Sequence, residues 1–252
     1  MLSEKQNLDE HLCFSRHRFP ALAEPKTFRV CYRKTGPMQF VSLLDLQRTV
    51  QKVLIRAGIP VWYTQGFNPH PKIIYAAPLS VGTESVCEYF DVRLDRDIST
   101  GEMMERLNRE MTEDLRVLRV YEPKTKLQDM AWSQYVLTFT GFGKAESESA
   151  VQKVRDLFAQ ETLMIQKKGK AGIRELDLVP LMRDLKIDFL PESDSLRVRV
   201  LLSVEQESYV NPEQIATLVR EKFGWEEDES IRHPYTILRE QLYLSDGVTP
   251  FE

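Results

Sequence analysis

The stretch SVCEYFDVRL, residues 85–94, alternates without interruption. Phe90, Val92 and Leu94 fall on one side of an extended chain, and Cys87, Tyr89, Asp91 and Arg93 on the other. A strand with one apolar face must lay it against a second layer. FRVCYRK (28–34) repeats the pattern, with Phe28, Val30 and Tyr32 inward. Between them, Ser42 is placed to cap a helix through LLDLQRTVQKVLIRAG, whose Leu43, Leu46, Val50, Val53 and Leu54 share a side and which Gly58 and Pro60 end. The opposite side carries Asp45, Arg48, Lys52 and Arg56 as one exposed stripe. VWYT (61–64) reads as a second strand, and the segment from Gly66 as a structured loop or short strand. Ser99 and Glu102 have capping-box spacing for GEMMERLNREM, and LRVLRVYE closes the unit as a strand. The order β-α-β-β-α-β predicts a ferredoxin-like domain over 27–122, with helices on one face of an antiparallel sheet.

PKTKLQDM (123–130) is polar, begins with proline and reads as a linker. The same element order then recurs over 132–252: SQYVLTFTGF as strand, ESESAVQKVRDLFAQ as helix, TLMIQKK and LRVRVLLSV as strands. A helix capped by Asn211 follows, with Pro212 at its first position, Gln214 completing a capping box and Gly224 past its end. IRHPYTILREQLYL supplies the last strand, and GKAGIRELDLVPLMRDLKIDF is an insert without a counterpart in the first half. The fold class expected is therefore α+β, with two ferredoxin-like units. A length of 252 residues suits two domains, each able to bury its own core.

Residues 1–26 are polar and of mixed charge, the pattern of a tail and not of a signal peptide. No apolar run approaches the roughly 20 residues of a membrane span. Cys13, Cys31 and Cys87 have neither disulfide-framework nor metal-site spacing, which fits a reducing cytoplasm. The net charge is −4, but from Phe28 to Ser85 seven basic residues face two acidic ones. That stretch is +5 and the remainder −9.

Two surfaces in the first half can carry chemistry. If the sheet face away from the helices is open, it gathers Arg29, Arg33 and Tyr89, an aromatic among cations that would stack a base and neutralise phosphates. The other reading closes that face, with Asp91 pairing the arginines. The second surface is GFNPHPK, residues 66–72. Pro69 and Pro71 stiffen it and push Asn68 and His70 toward extended conformations. They thereby present His70, a group that titrates near neutrality, beside the cation Lys72 and the aromatic Phe67. These residues read as the wall of a pocket for an anionic, planar or ribose-bearing ligand; a rigid turn is the structural alternative. Glu88 lies by alternation on the helix side, where Arg48 or Arg56 is the expected partner. In the second half Lys167, Lys168, Lys170 and Arg174 surround two glycines, either as a solvated hairpin tip or as an RNA-backbone contact. The four histidines lack metal-ligand spacing, and no nucleophile, dinucleotide or zinc-protease motif occurs, so neither metal nor cofactor is expected.

The stretch from YRKTG through GFNPHPK, PLSVGTES and EYFDV resembles the radical-SAM-linked proteins, a bacterial domain of unknown function fused to, or encoded beside, cobalamin-binding radical SAM proteins. The later KKGK and ELDL are similar to that family's second half. Lys34, Asp45, Arg48, Phe67, Asn68, His70, Lys72, Gly82, Ser85 and Glu88 lie in or near the matching motifs. Leu43 stands where the family pattern usually has histidine. The chain has no Cys-x-x-x-Cys-x-x-Cys, so it carries no iron–sulfur ligands of the radical SAM kind. The resemblance implies a partner of such an enzyme, and gene neighbours of the family imply an RNA context. The expected function is an accessory protein that binds RNA or a nucleotide-like substrate, with Lys34, Asp45, Arg48, Phe67, Asn68, His70, Lys72, Ser85 and Glu88 as ligand-binding residues. An RNA-processing or RNA-modifying enzyme using His70, and a protein-only adaptor, are the alternatives.

Overall fold

The structure, a computed structural model, describes residues 19–77, 79–142, 147–169, 172–225 and 234–252. The first of its two units holds the described residues up to Val81, with Ser85–Gln128 and Glu252; the second holds Gly82–Glu84 and Asp129–Phe251. In the first, the elements run β1 (Ala21–Lys34), α1 (Leu43–Arg56), β2 (Ile73–Tyr75), β3 (Thr83–Arg96), α2 (Thr100–Glu110) and β4 (Val117–Tyr121). All pairings are antiparallel, in the order β4-β1-β3-β2. The register sets Phe28 opposite Val92 and Val30 opposite Phe90. This places the apolar residues of both inner strands on one face.

Both helices start where a serine supplies the missing acceptor. Ser42 Oγ accepts from the Asp45 N–H at 3.2 Å, and Ser99 Oγ from the Glu102 N–H at 3.1 Å. Each turns its apolar stripe onto the sheet: Leu46, Val50, Val53 and Leu54 from α1, Met103 and Leu107 from α2. Glu102 spends its carboxylate on Arg106 and not on a capping box. Val30, Phe90, Val92 and Leu94 are wholly buried. Each such side chain contributes about 1.5–3 kcal/mol.

Two expectations for this unit change. VWYT is not the second strand: Val61 and Tyr63 make only isolated bridges, to Leu94 and Pro71. The strand beside β3 is Ile73–Tyr75, because Pro71 and Pro69 lack donors and regular pairing can begin only after them. The span expected to be a tail, residues 1–26, overlaps the first strand. Strand β1 already begins at Ala21, while residues 1–18 lie outside the described residues.

The second unit comprises β5 (Trp132–Thr140), α3 (Ser147–Phe158), β6 (Met164–Gly169), β7 (Gly172–Asp177), β8 (Met182–Leu190), β9 (Ser195–Ser203), α4 (Glu213–Phe223) and β10 (Tyr235–Tyr243). Its sheet order, β10-β5-β9-β8, repeats that of the first unit. Tyr135, Leu137, Phe139, Val198, Val200 and Ile237 meet Val154 of α3 and Ile215 and Val219 of α4 in its core. TLMIQKK is not the strand beside β9. It forms a separate two-stranded hairpin, β6–β7, and β8 takes the expected place. The glycines at 169 and 172 offer TLMIQKK a local partner, and Ile187 and Phe189 give MRDLKIDFL the apolar side that the core position needs. Asn211 Oδ1 does accept from the first helical N–H, of Glu213, at 3.1 Å. Gln214 instead donates to the carbonyl of Gln166. Gly224 ends α4 with φ +68°, a left-handed cap.

Phe90 is buried between the rings of Tyr32 and Tyr75, 5.6 and 5.7 Å away between centroids. Phe90→Ala is expected to lower stability by about 3–5 kcal/mol. Urea unfolding should show a lower midpoint with an unchanged slope.

Candidate functional site

The GFNPHPK loop is closed at its neck. Thr64 N–H donates to the His70 carbonyl at 3.0 Å and Lys72 N–H to the Trp62 carbonyl at 3.2 Å, with the Tyr63–Pro71 bridge between them. The Thr64 hydroxyl accepts from the His70 backbone N–H at 3.2 Å. Gly66 has φ +152°, which strains other residues, although a side chain there would meet nothing within 4 Å. Its role is thus conformational.

On this frame Phe67, Asn68, His70 and Lys72 are exposed. Phe67 is as open as in an extended peptide, at 109% relative exposure. His70 Nδ1 lies 3.2 Å from the Asn68 carbonyl and 3.1 Å from Thr64 Oγ1. The Asn68 carbonyl can accept a hydrogen bond from Nδ1 and the Thr64 hydroxyl can donate one to it, so these contacts fix the orientation of the ring and turn Nε2 outward. Among the described residues, no partner engages His70 Nε2, Lys72 Nζ or the Phe67 ring. The loop therefore offers one stacking surface, one directed ring nitrogen and one cation.

The remaining predicted ligand-binding residues sit elsewhere. Asp45 and Arg48 pair with each other at 3.4 Å on the exposed side of α1, and Asp45 also accepts from the Ser42 hydroxyl. Among the described residues, no bond joins either to the loop. Lys34 and Glu88, both almost fully buried, line a small cavity with Tyr32, Leu43, Tyr75 and Tyr89. Its free volume of about 10 Å³ is room for one water, not for a nucleotide. Lys34 Nζ donates to the Gln39 carbonyl at 3.1 Å. Among the described residues the buried Tyr75 hydroxyl has no hydrogen-bond partner, and burial pushes its pKa up. The expected partners of Glu88 are engaged elsewhere, Arg48 with Asp45 and Arg56 with Glu110. Ser85 is buried and accepts from the Cys87 N–H at 3.2 Å. Leu43 also borders this cavity.

The base-stacking surface expected from Arg29, Arg33 and Tyr89 is not open. Arg29 and Tyr89 are buried, and Arg33 pairs with Glu113. The register sets Asp91 opposite Arg29. Its carboxylate takes Nε at 2.8 Å and Nη2 at 2.9 Å, a bidentate pair. Nη1 reaches Thr125 Oγ1 at 2.8 Å and the Glu252 carbonyl at 3.2 Å; Nη2 also reaches the Thr125 carbonyl at 2.9 Å. All five guanidinium donors are used. Cross-strand opposition of Arg29 and Asp91 was the sequence signal for this closure. The Tyr89 hydroxyl, likewise desolvated, has its pKa pushed up by burial.

In the second unit Lys167 donates to the Tyr209 carbonyl and its register partner Arg174 to the Glu207 carbonyl, each at 2.8 Å. Both tie the hairpin to the chain after β9. Desolvation, then Arg174, lowers the Lys167 pKa. Lys168 lies on strand β6, and Lys170 is outside the described residues. His11, His17 and His233 are outside them as well. Among the described residues no cluster of three metal-ligating side chains occurs, and no helix is long and apolar enough to cross a membrane.

Arg29→Ala, which strands a buried carboxylate, is expected to cost about 3–5 kcal/mol in urea unfolding. Arg29→Met combined with Asp91→Leu should recover most of that loss. A single variant within about 1 kcal/mol of the parent would contradict the assigned network.

No curated protein matches the sequence. The crystal structure of a Cbf5-Nop10-Gar1 complex aligns over 93% of this chain and 50% of that chain, at 8% identity and a TM-score of 0.44. The chain thus spans half the length of that distant match. Residues 27–212 match the family model described as "Uncharacterized protein conserved in bacteria (DUF2344)". That match takes in both inner strands, the GFNPHPK loop and the inserted hairpin, and the chain belongs to that family.

Proposed function

We propose that this protein is an accessory factor that binds RNA or a nucleotide-like ligand through the GFNPHPK loop and presents it to a radical SAM partner in the cytoplasm. One observation carries the ligand class: the exposed Phe67, His70 and Lys72 keep the Phe67 ring, His70 Nε2 and Lys72 Nζ unengaged among the described residues, on a loop whose neck is fixed by backbone hydrogen bonds. An exposed aromatic stacks on any base, a cation neutralises a phosphate, and a directed ring nitrogen bonds a ribose or base edge. Little ordering entropy remains to be lost on binding, because the backbone is already held. The partner class rests on the resemblance of this loop and of PLSVGTES and EYFDV to the radical-SAM-linked proteins.

A second reading makes His70 a general acid or base acting on RNA. It is favoured by the Nδ1 contacts with Thr64 and the Asn68 carbonyl, which turn Nε2 outward. Turnover of a ribo-oligonucleotide by the pure protein, abolished in His70→Ala, would establish it.

The binding reading is tested by fluorescence anisotropy with a mixed-sequence ribo-oligonucleotide across a salt series. Phe67→Ala should weaken binding about 5- to 150-fold, the worth of one stacked base. Lys72→Ala should reduce the slope of log affinity against log salt by about 0.7. Thermal unfolding of both variants should match the parent, since neither side chain packs against the chain. Absence of saturable RNA binding, with a radical SAM protein still captured from lysate after ribonuclease treatment, would leave the protein-only adaptor in its place.

A further inference from the structure

The face of the second sheet away from α3 and α4 holds an arrangement that the loop does not explain. Lys186 on β8 and Arg199 on β9 are directly opposed in register. Like charges in that position repel, and a sheet avoids them unless something negative lies between. Glu240 does reach Arg199, but at 3.4 and 3.5 Å, well beyond the 2.7–2.9 Å of a charge-assisted bond. Its carboxylate is shared with Gln134 Nε2 at 3.0 Å, and Gln134 in turn accepts from the Tyr243 hydroxyl at 2.9 Å. Lys186 is exposed and, among the described residues, has no acceptor. Asp188 lies opposite Arg197, two positions before Arg199, and among the described residues the Nε of Arg197 is buried without a hydrogen-bond partner. Lys186 is thus left without a partner among the described residues, beside an Arg199 that is only loosely paired.

They border a cleft of about 270 Å³ whose walls include Gln134, Asp184, Lys186, Arg199, Tyr243 and Gly247. Two unusual backbone positions lie in its walls. The register between β8 and β9 shifts after Arg183, and the bulge puts Asp184 at φ +49°, a conformation that aspartate tolerates better than most residues. On the far wall Gly247 has φ +73°, and a β-carbon there would come within 3.4 Å of Arg183 and Leu201.

We infer that this cleft is a ribonucleotide site, with Lys186 and Arg199 on the phosphate and Asp184 accepting from the ribose hydroxyls. Two cations and one carboxylate suit a phosphorylated sugar better than a bare anion, which Asp184 would repel. The volume falls just below the roughly 300 Å³ at which ligand pockets usually begin, which limits the ligand to about one nucleotide. The site shares the ligand class of the proposed function but none of its residues, so the two can fail separately.

The test uses the full isotope-labelled chain carrying Phe67→Ala, which silences the loop. The four ribonucleoside 5′-monophosphates and their unphosphorylated nucleosides are titrated and followed by NMR. At least one monophosphate should shift the backbone amides of β8 and β9 saturably, and its nucleoside should not. Lys186→Glu, a change at an exposed position, should weaken that binding by about tenfold or more. The 2′-deoxy analogue should bind less tightly, a difference that Asp184→Asn removes. The inference is overturned if none of the four saturates these amides, or if Lys186→Glu leaves the affinity unchanged. A short ribo-oligonucleotide that binds there more tightly than the monophosphate identifies a strand as the natural source, and the reverse order a free nucleotide.

Discussion

The register between β1 and β3 is the constraint from which the first unit follows. With Val30 opposite Phe90 and Phe28 opposite Val92, Phe28, Val30, Tyr32, Phe90, Val92 and Leu94 join one core with α1 and α2. The same register sets Arg29 against Asp91 on the reverse side. A slip of one residue would expose the core residues and separate the charges together, so packing and electrostatics select one alignment. Once buried, Arg29 needs five acceptors. It takes three of them from Thr125 and Glu252, and residues far apart in the chain are drawn to one guanidinium.

Strand β3 also positions the loop. Ile73–Tyr75 pairs with it directly, and the Trp62 N–H and the Lys72 carbonyl bond on either side of Arg93. Both ends of the loop are therefore anchored to the best-buried strand of the unit, while the prolines deny its middle any ladder of its own. The arrangement separates two jobs. Buried residues of β3 hold the neck, while the Phe67 ring, His70 Nε2 and Lys72 Nζ have no partner among the described residues and are available to a ligand.

Much of this was legible in the amino acids. Alternation in SVCEYFDVRL and FRVCYRK, with serines placed before two amphipathic runs, specified the inner strands and helices of the first unit, because burial of one face leaves a period that sequence preserves. Edge strands were harder. Ile73–Tyr75 has only three residues, and MRDLKIDFL contains a bulge that breaks its alternation, so neither shows a clean period. Side chains that become partners only through tertiary pairing were least legible. Arg29 and Tyr89 have the composition of a nucleic-acid surface, and only the cross-strand position of Asp91 distinguishes a sealed ion pair from an open one. The cavity of Lys34 and Glu88 likewise depends on strand register and on the position of α1. The loop was visible because proline, histidine and lysine act there through local covalent geometry.

The account stands on the claim that a ligand touches this loop. Photocrosslinking of a ribo-oligonucleotide containing 4-thiouridine to the full chain, followed by peptide mapping, tests that contact without assuming a reaction or a partner. The tryptic peptide AGIPVWYTQGFNPHPK, 57–72, should carry the principal adduct, with Phe67 as the modified residue. Crosslinks confined to other peptides, or none above the level of a Phe67→Ala control, would contradict it.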